Sequence, residues 1–227
     1  IMEIVRCKIL VFFIFFISAC SNSQEMDTGE IKFLKSFERL FDTPKHLGGL
    51  IDARDLISRE KIDQAQVPLL FAELETGQNG TLYKYPDEGV SSTTWLGVDG
   101  ATITLQNGLL MATRGMGHDL MGSKTSLNIK WSALVNKTSY DRQLSYLMEG
   151  NSLSVQLFNC SILKTKSRVI IENFDIKFVT AHFEEVCSNE YFTFKNDYFV
   201  DKDDIVRRAN VFHSQVIGNI YIERLDR

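Results

Sequence analysis

A chain of 227 residues is long enough for one sizeable domain or two small ones, and 44% hydrophobic with 24% charged content fits a globular body, not a disordered one. A net charge of −4 leaves no dominant basic surface, which argues against nucleic-acid binding through phosphate neutralisation. No P-loop, GxSxG elbow or HExxH motif occurs, and His46, His118, His182 and His213 are scattered, so no catalytic, cofactor or metal site is expected from motifs.

The first nineteen residues differ from the rest. Met2 is a candidate start; Arg6 and Lys8 make a short basic region, and Ile9 to Ala19 is an apolar run of eleven residues. A membrane-spanning helix needs about 20 such residues, so the run fits a secretory signal peptide over 1–19. It ends on Ile17-Ser18-Ala19-Cys20, which resembles the bacterial lipobox. The small residues give a peptidase access, and the Cys20 sulfur is the nucleophile that takes a diacylglyceryl group. Several acyl chains, each buried methylene contributing about 0.8 kcal/mol, would hold the mature protein on a membrane. Ser21 follows Cys20 where an Asp would signal inner-membrane retention; by resemblance to enteric lipoproteins this implies the periplasmic face of the outer membrane.

Residues 20–28 then read as a lipidated terminus and polar tether. Phe33, Phe37, Leu40 and Phe41 fall on one helical face, Asp27 and Glu30 can form a capping box, and Pro44 ends the segment, so a helix is expected from about Gly29 to Phe41. Its polar face mixes Lys32, Lys35, Glu38 and Arg39, which favours core packing over lipid contact. A short helix is expected from an N-cap at Ser58 to before Pro68.

From there the period changes from 3.6 to 2. Strand-like runs occupy 68–74, 81–85, 93–98, 101–106 and 108–113, and again 152–158, 167–183, 190–200, 206–213 and 218–225. Asn107-Gly108 between apolar alternations is a strong hairpin signal. The economical fold is mainly β: residues 29–227 form one domain, an N-terminal helix plus a single antiparallel meander sheet.

Of the four cysteines, Cys7 leaves with the signal peptide and Cys20 is lipidated. Cys160 and Cys187 remain, an even pair in an oxidising compartment, which favours a disulfide over metal binding. "MATRGMGHDLMGS", Met111 to Ser123, is the most distinctive loop. Gly115, Gly117 and Gly122 allow positive φ, and an Arg114–Asp119 ion pair would pin the turn. The alternative makes Arg114, His118 and Asp119 a contact for a sugar or a partner. Asp201 to Asp204 lack the glycine and distal glutamate of a calcium loop and read as a hairpin turn. Glu184 and Glu185 point to opposite faces of a strand and cannot act on one bond together. An enzymatic reading would need Asp119, Glu184 or Asp201 to converge. A lipid- or glycolipid-carrier reading would need an apolar cavity inside the curved sheet. Trp95 and Trp131 could line a sugar groove, although burial is the better expectation.

The stretch from about Asp55 to Leu225 resembles the YjbF-type lipoproteins of group 4 capsule and exopolysaccharide secretion clusters. "GLLMATRGMGHDLM" carries the family's glycine hairpin, Thr-Arg-Gly and Gly-x-Asp-Leu. "EEVC" at Glu184–Cys187 matches a Glu-x-x-Cys-like element, with Cys160 at the position of the earlier cysteine. "NDYFVDKDDIVRRANVFHSQVIGNIYIERL" is similar to the C-terminal stretch, with Phe199 where a tryptophan is usual and Arg208-Ala209-Asn210 replacing a Ser-Arg-Gln-like run. The resemblance implies a meander curled into a half-barrel or sandwich. It further implies a non-enzymatic role in surface-polysaccharide production or export beside an outer-membrane β-barrel partner.

Overall fold

The computed structural model describes residues 52–86, 92–148 and 152–227. The signal peptide, Cys20, the tether and the helix expected over 29–41 lie outside the described residues. Among the described residues two short helices come first, α1 (Ala53–Leu56) and α2 (Arg59–Ala65). Ser58 caps α2 by accepting the Lys61 amide, as its position before the apolar-periodic run suggests.

Twelve strands follow: β1 (Leu69–Leu74), β2 (Asn79–Lys84), β3 (Thr93–Gly97), β4 (Thr102–Gln106), β5 (Leu109–Arg114), β6 (Leu120–Thr125), β7 (Thr138–Leu147), β8 (Leu153–Asn173), β9 (Ile176–Ser188), β10 (Thr193–Val200), β11 (Val206–Ser214) and β12 (Gly218–Arg224). They form one antiparallel sheet in the order β5-β4-β3-β2-β1-β12-β11-β10-β9-β8-β7-β6. The first strand pairs with the last, Ala72 opposite Ile222. The strand order is therefore cyclic, and the single break in the ladder lies between the consecutive strands β5 and β6. The sheet curls beyond a half-barrel into a nearly closed barrel.

The Asn107-Gly108 hairpin forms as its residues require. Both adopt positive φ, 50° and 86°, and a side chain at Gly108 would come within 2.2 Å of Val206. Two strands, β6 and β7, lie where no strand is expected from alternation. The run 167–183 is split by a turn at Phe174–Asp175, which reach φ 44° and 67° without glycine. The resulting β8–β9 hairpin reaches across to β1, where Phe174 packs 6.1 Å from Phe71.

Inward-facing residues make the main core, with Phe183 and Tyr198 packed on Trp131 at ring distances of 5.0 and 4.9 Å. Trp95 and Trp131 are both buried. A second cluster lies outside the barrel, where Ile57, Ile62 and Ala65 cover Leu69, Phe71, Tyr83 and Leu225. Each large side chain so covered contributes about 1.5–3 kcal/mol. Among the described residues, no helix is long and apolar enough to cross a membrane.

Candidate functional site

Alternation on β7 turns Tyr140, Arg142, Leu144 and Tyr146 into the barrel. Arg142 is buried, and so is Glu185 on β9. The guanidinium Nη1 donates to both Glu185 oxygens, at 3.0 and 3.2 Å. Asn196 and Tyr198 of β10 each donate to the same carboxylate at 2.7 Å, and Tyr140 donates to its other oxygen. Burial opposes ionisation of Glu185, but Arg142 and these three donors outweigh it and hold the carboxyl below its usual range. Burial likewise pushes the Tyr140 and Tyr198 hydroxyls up, so both stay protonated. Every face of the carboxylate is engaged, so it presents no free oxygen to a substrate. Removing one partner of such a buried pair typically costs about 3–5 kcal/mol.

The same arginine also reaches the break in the sheet. Its Nε donates to Ser123 Oγ on β6 at 3.2 Å, and its Nη2 to the Leu110 carbonyl on β5 at 2.8 Å. Arg114 spans the seam near its upper end, donating to the Leu120 and Met121 carbonyls at 3.0 and 3.1 Å. Thr113 Oγ1 accepts the Leu120 amide at 3.0 Å. At the far end, Trp131 Nε1 donates to the Asn107 carbonyl and Asn107 Nδ2 to the Ile129 carbonyl, at 2.8 and 3.2 Å. Side chains thus replace the missing ladder between two edge strands, which would otherwise offer unpaired backbone groups.

The expected Arg114–Asp119 ion pair does not form. Asp119 instead accepts the amides of Gly115 and Met116, at 2.8 and 3.1 Å, and the Thr113 hydroxyl at 3.1 Å. The turn needs both residues, since the backbone offers Asp119 donors and Arg114 acceptors. Gly115, Gly117 and His118 take positive φ, whereas Gly122 does not. The His118 ring lies 5.6 Å from that of Tyr146, tilted 41° to it, and its Nδ1 is buried without a hydrogen-bond partner. Below it His213 is buried, its Nε2 2.8 Å from Thr113 Oγ1 and its Nδ1 3.2 Å from Ser214 Oγ. Because the Thr113 proton goes to Asp119, His213 carries its proton on Nε2. Burial pushes its pKa down to about 4, so the ring is neutral.

Cys160 and Cys187 lie directly opposite each other on β8 and β9, Cα atoms 4.0 Å apart, and are joined by a disulfide. With both sulfurs in that bond, the group Cys160–Glu185–Cys187 has no thiolate to give a metal. The three carboxylates of an enzymatic reading have separate partner sets. Asp119 holds the β5–β6 turn, Glu184 lies on the outer face 2.6 Å from Lys195, and Asp201 pairs with Arg207 at 2.6 Å. Asp201 is more than a solvated turn residue, because it also accepts the Asp203 and Ile205 amides, while Asp204 binds Ser132.

The middle of the barrel is filled, but one mouth is not. A cavity of about 550 Å³ lies under the β5–β6 turn. Many of its inward positions are small, Ala72, Gly80, Gly97 and Ala101, beside Leu74 and Leu82, with Gly115 and Gly117 above. A side chain added at Gly80 or Gly117 would meet nothing within 4 Å. The buried ion pair and its donors were not visible as a site in the sequence. The available signal was Arg142 at an inward position of an otherwise apolar Tyr140–Tyr146 alternation.

Among solved structures, the barrel is similar to the crystal structure of the hypothetical lipoprotein YmcC from Escherichia coli K12. The match has a TM-score of 0.73 at 13% identity and covers 89% of this chain and 97% of that one. At that identity the likeness shows a shared fold. No curated protein matches the chain in sequence. The model of the family described as group 4 capsule polysaccharide lipoprotein gfcB, YjbF, matches residues 36–225, which take in every strand of the barrel and both described helices, and the chain belongs to that family.

Proposed function

We propose that this protein is a non-enzymatic accessory lipoprotein of capsule or exopolysaccharide production, held by acyl chains on Cys20 at the periplasmic face of the outer membrane. There it supports export of the polymer by docking an outer-membrane β-barrel protein. The observation that carries the reading is the family match over residues 36–225. The barrel interior supports it, since Glu185 and Arg142 are consumed by each other and by neutral donors. The Gly115–Asp119 turn beside the mouth cavity is the surface assigned to the polymer or partner, with His118 as its contact residue. Tethering raises the domain's effective concentration for membrane partners without any new contact.

A Cys20→Ala variant tests the anchor. The barrel is expected to fold and to appear in the soluble periplasmic fraction, with polymer output falling. Normal output from an expressed, unlipidated chain overturns the reading. Affinity purification of the lipidated protein from its own envelope tests the partner: recovery of a β-barrel or export protein supports docking, and recovery of polymer alone points to direct sugar binding.

A further inference from the structure

In an antiparallel meander the turns alternate between the two ends of the barrel. The turns β1–β2, β3–β4, β5–β6, β7–β8, β9–β10 and β11–β12 all lie at the end that holds the mouth cavity. Three of them carry large apolar side chains pointing into solvent: Val98 after β3, Tyr191 before β10 and Val216 before β12, with exposures of 43, 81 and 65%. Leu147, Met148 and Leu153 add a fourth exposed group where β7 passes to β8. From this rim an apolar stripe runs down the outside of β8 through Val155 and Leu157, also exposed. No lysine or arginine occurs in residues 75–78, 98–101, 115–119, 148–152, 189–192 or 215–217. The charged groups there are mostly spent within the turns: Glu75 accepts the Asn219 amide and Asp99 the Ala101 amide. Toward the opposite end Val135, Ile170 and Val179 are also exposed, but there they sit among cations. Lys130, Lys137 and Lys202 sit in its connections, and Lys164, Lys166 and Arg168 crowd the β8 stretch leading to it.

The chain enters the fold at the apolar end. The Ala53 amide donates to Asn79 at the start of β2, and Cys20 lies only 32 residues before Asp52. We infer that this rim is a lipid-contacting surface: the barrel stands end-on against the membrane, leaning toward β8, with the apolar tips in the headgroup layer and the Gly115–Asp119 turn beside the mouth left to meet the partner of the proposed function at the membrane surface. The inference rests on the lipid anchor of the proposed function. Separated apolar tips around an open mouth suit a deformable lipid surface, whose interface accepts discrete side chains and favours tyrosine at its boundary. They suit a flat protein interface poorly, because such an interface needs a continuous packed centre. Arg114 borders the rim, but its guanidinium is held by the Leu120 and Met121 carbonyls, so the contact is mainly hydrophobic and does not require anionic lipid.

The test uses the full lipidated chain in vesicles of phosphatidylethanolamine and phosphatidylglycerol with brominated acyl chains. Tyr191→Trp places a fluorophore on the rim, and Val135→Trp places one at an equally exposed site (78%) at the other end. The Tyr191→Trp emission is expected to be lost to bromine quenching, with the Val135→Trp emission retained, and high salt to change neither. Equal emission from both sites while the protein floats with the vesicles overturns the end-on contact and leaves the anchor standing. Quenching at Val135→Trp alone places the opposite end on lipid and also overturns it. A concentration-dependent dimer whose Tyr191→Trp stays unquenched assigns the rim to a second copy. A chain that does not float overturns the anchor, and this inference with it.

Discussion

Burial holds the His213 imidazole neutral between Thr113 and Ser214, and that fixes the sign of its effect on stability. Its folded pKa, pushed down to about 4, lies below the ordinary 6.5 that the unfolded chain regains. Above pH 6.5 neither state is charged and the contribution is fully present. Between 6.5 and about 4 the unfolded chain takes a proton that the folded protein refuses, so stability falls as the pH falls. The loss reaches about 3 kcal/mol at the lower end. Glu185 acts in the same direction at lower pH: its folded pKa is held below 4.5, so the unfolded chain is protonated first. Urea unfolding of wild type and His213→Asn across that window separates the two. The variant is expected to be less stable at neutral pH yet nearly flat down to the point where Glu185 titrates. A variant with the wild-type slope overturns the assignment.

Along the seam, two neighbouring strands meet without pairing, and Arg114 carries two of the bonds that join them. Arg114→Ala leaves the turn its Asp119 cap but removes those cross-seam donors. Hydrogen bonds from a charged group contribute about 1.5–3 kcal/mol each when buried and less at an exposed position, so the expected loss is about 1–2 kcal/mol. Amide exchange should quicken in β5 and β6 and remain slow in β1 and β12, which pair on both sides. Uniform acceleration across the sheet would show that the seam is no weak point. Arg114 and Asp119 were legible in the sequence as the residues of this turn, but their pairing was not. Spacing cannot tell a side-chain ion pair from two separate backbone caps. The Asn107-Gly108 hairpin was legible because its turn type needs those residues. Strand β6 was hidden by Gly122 and Lys124, and β7 by Arg142, whose inward position makes sense only once Glu185, far along the chain, is known to face it. The Phe174–Asp175 turn lacked glycine and so left no mark.

The barrel closes by bringing its first strand to its last, with Leu70 opposite Arg224. Pairing across so much chain must overcome loop-closure entropy before it is rewarded, which makes such sheets slow to form. A cross-link that keeps part of the sheet together in the unfolded chain lowers that cost. Cys160–Cys187 does this for β8 and β9 over a sequence separation of 27. The chain-entropy model gives about 3–4 kcal/mol for a loop of that length, although packing around the bridge also contributes. The double variant Cys160→Ala/Cys187→Ala is expected to keep the wild-type far-UV spectrum, because the β8–β9 ladder continues on both sides of the bridge. Its urea midpoint should fall, and its m value should rise, since the denatured chain without the bridge is more expanded and exposes more surface. The m value separates the two mechanisms. A lower midpoint with an unchanged m would mean that the bridge acts in the folded barrel, by filling space beside Glu185 and Phe194. A lower midpoint with a higher m would mean that it acts on the unfolded chain, by shortening the search that ends when β1 finds β12.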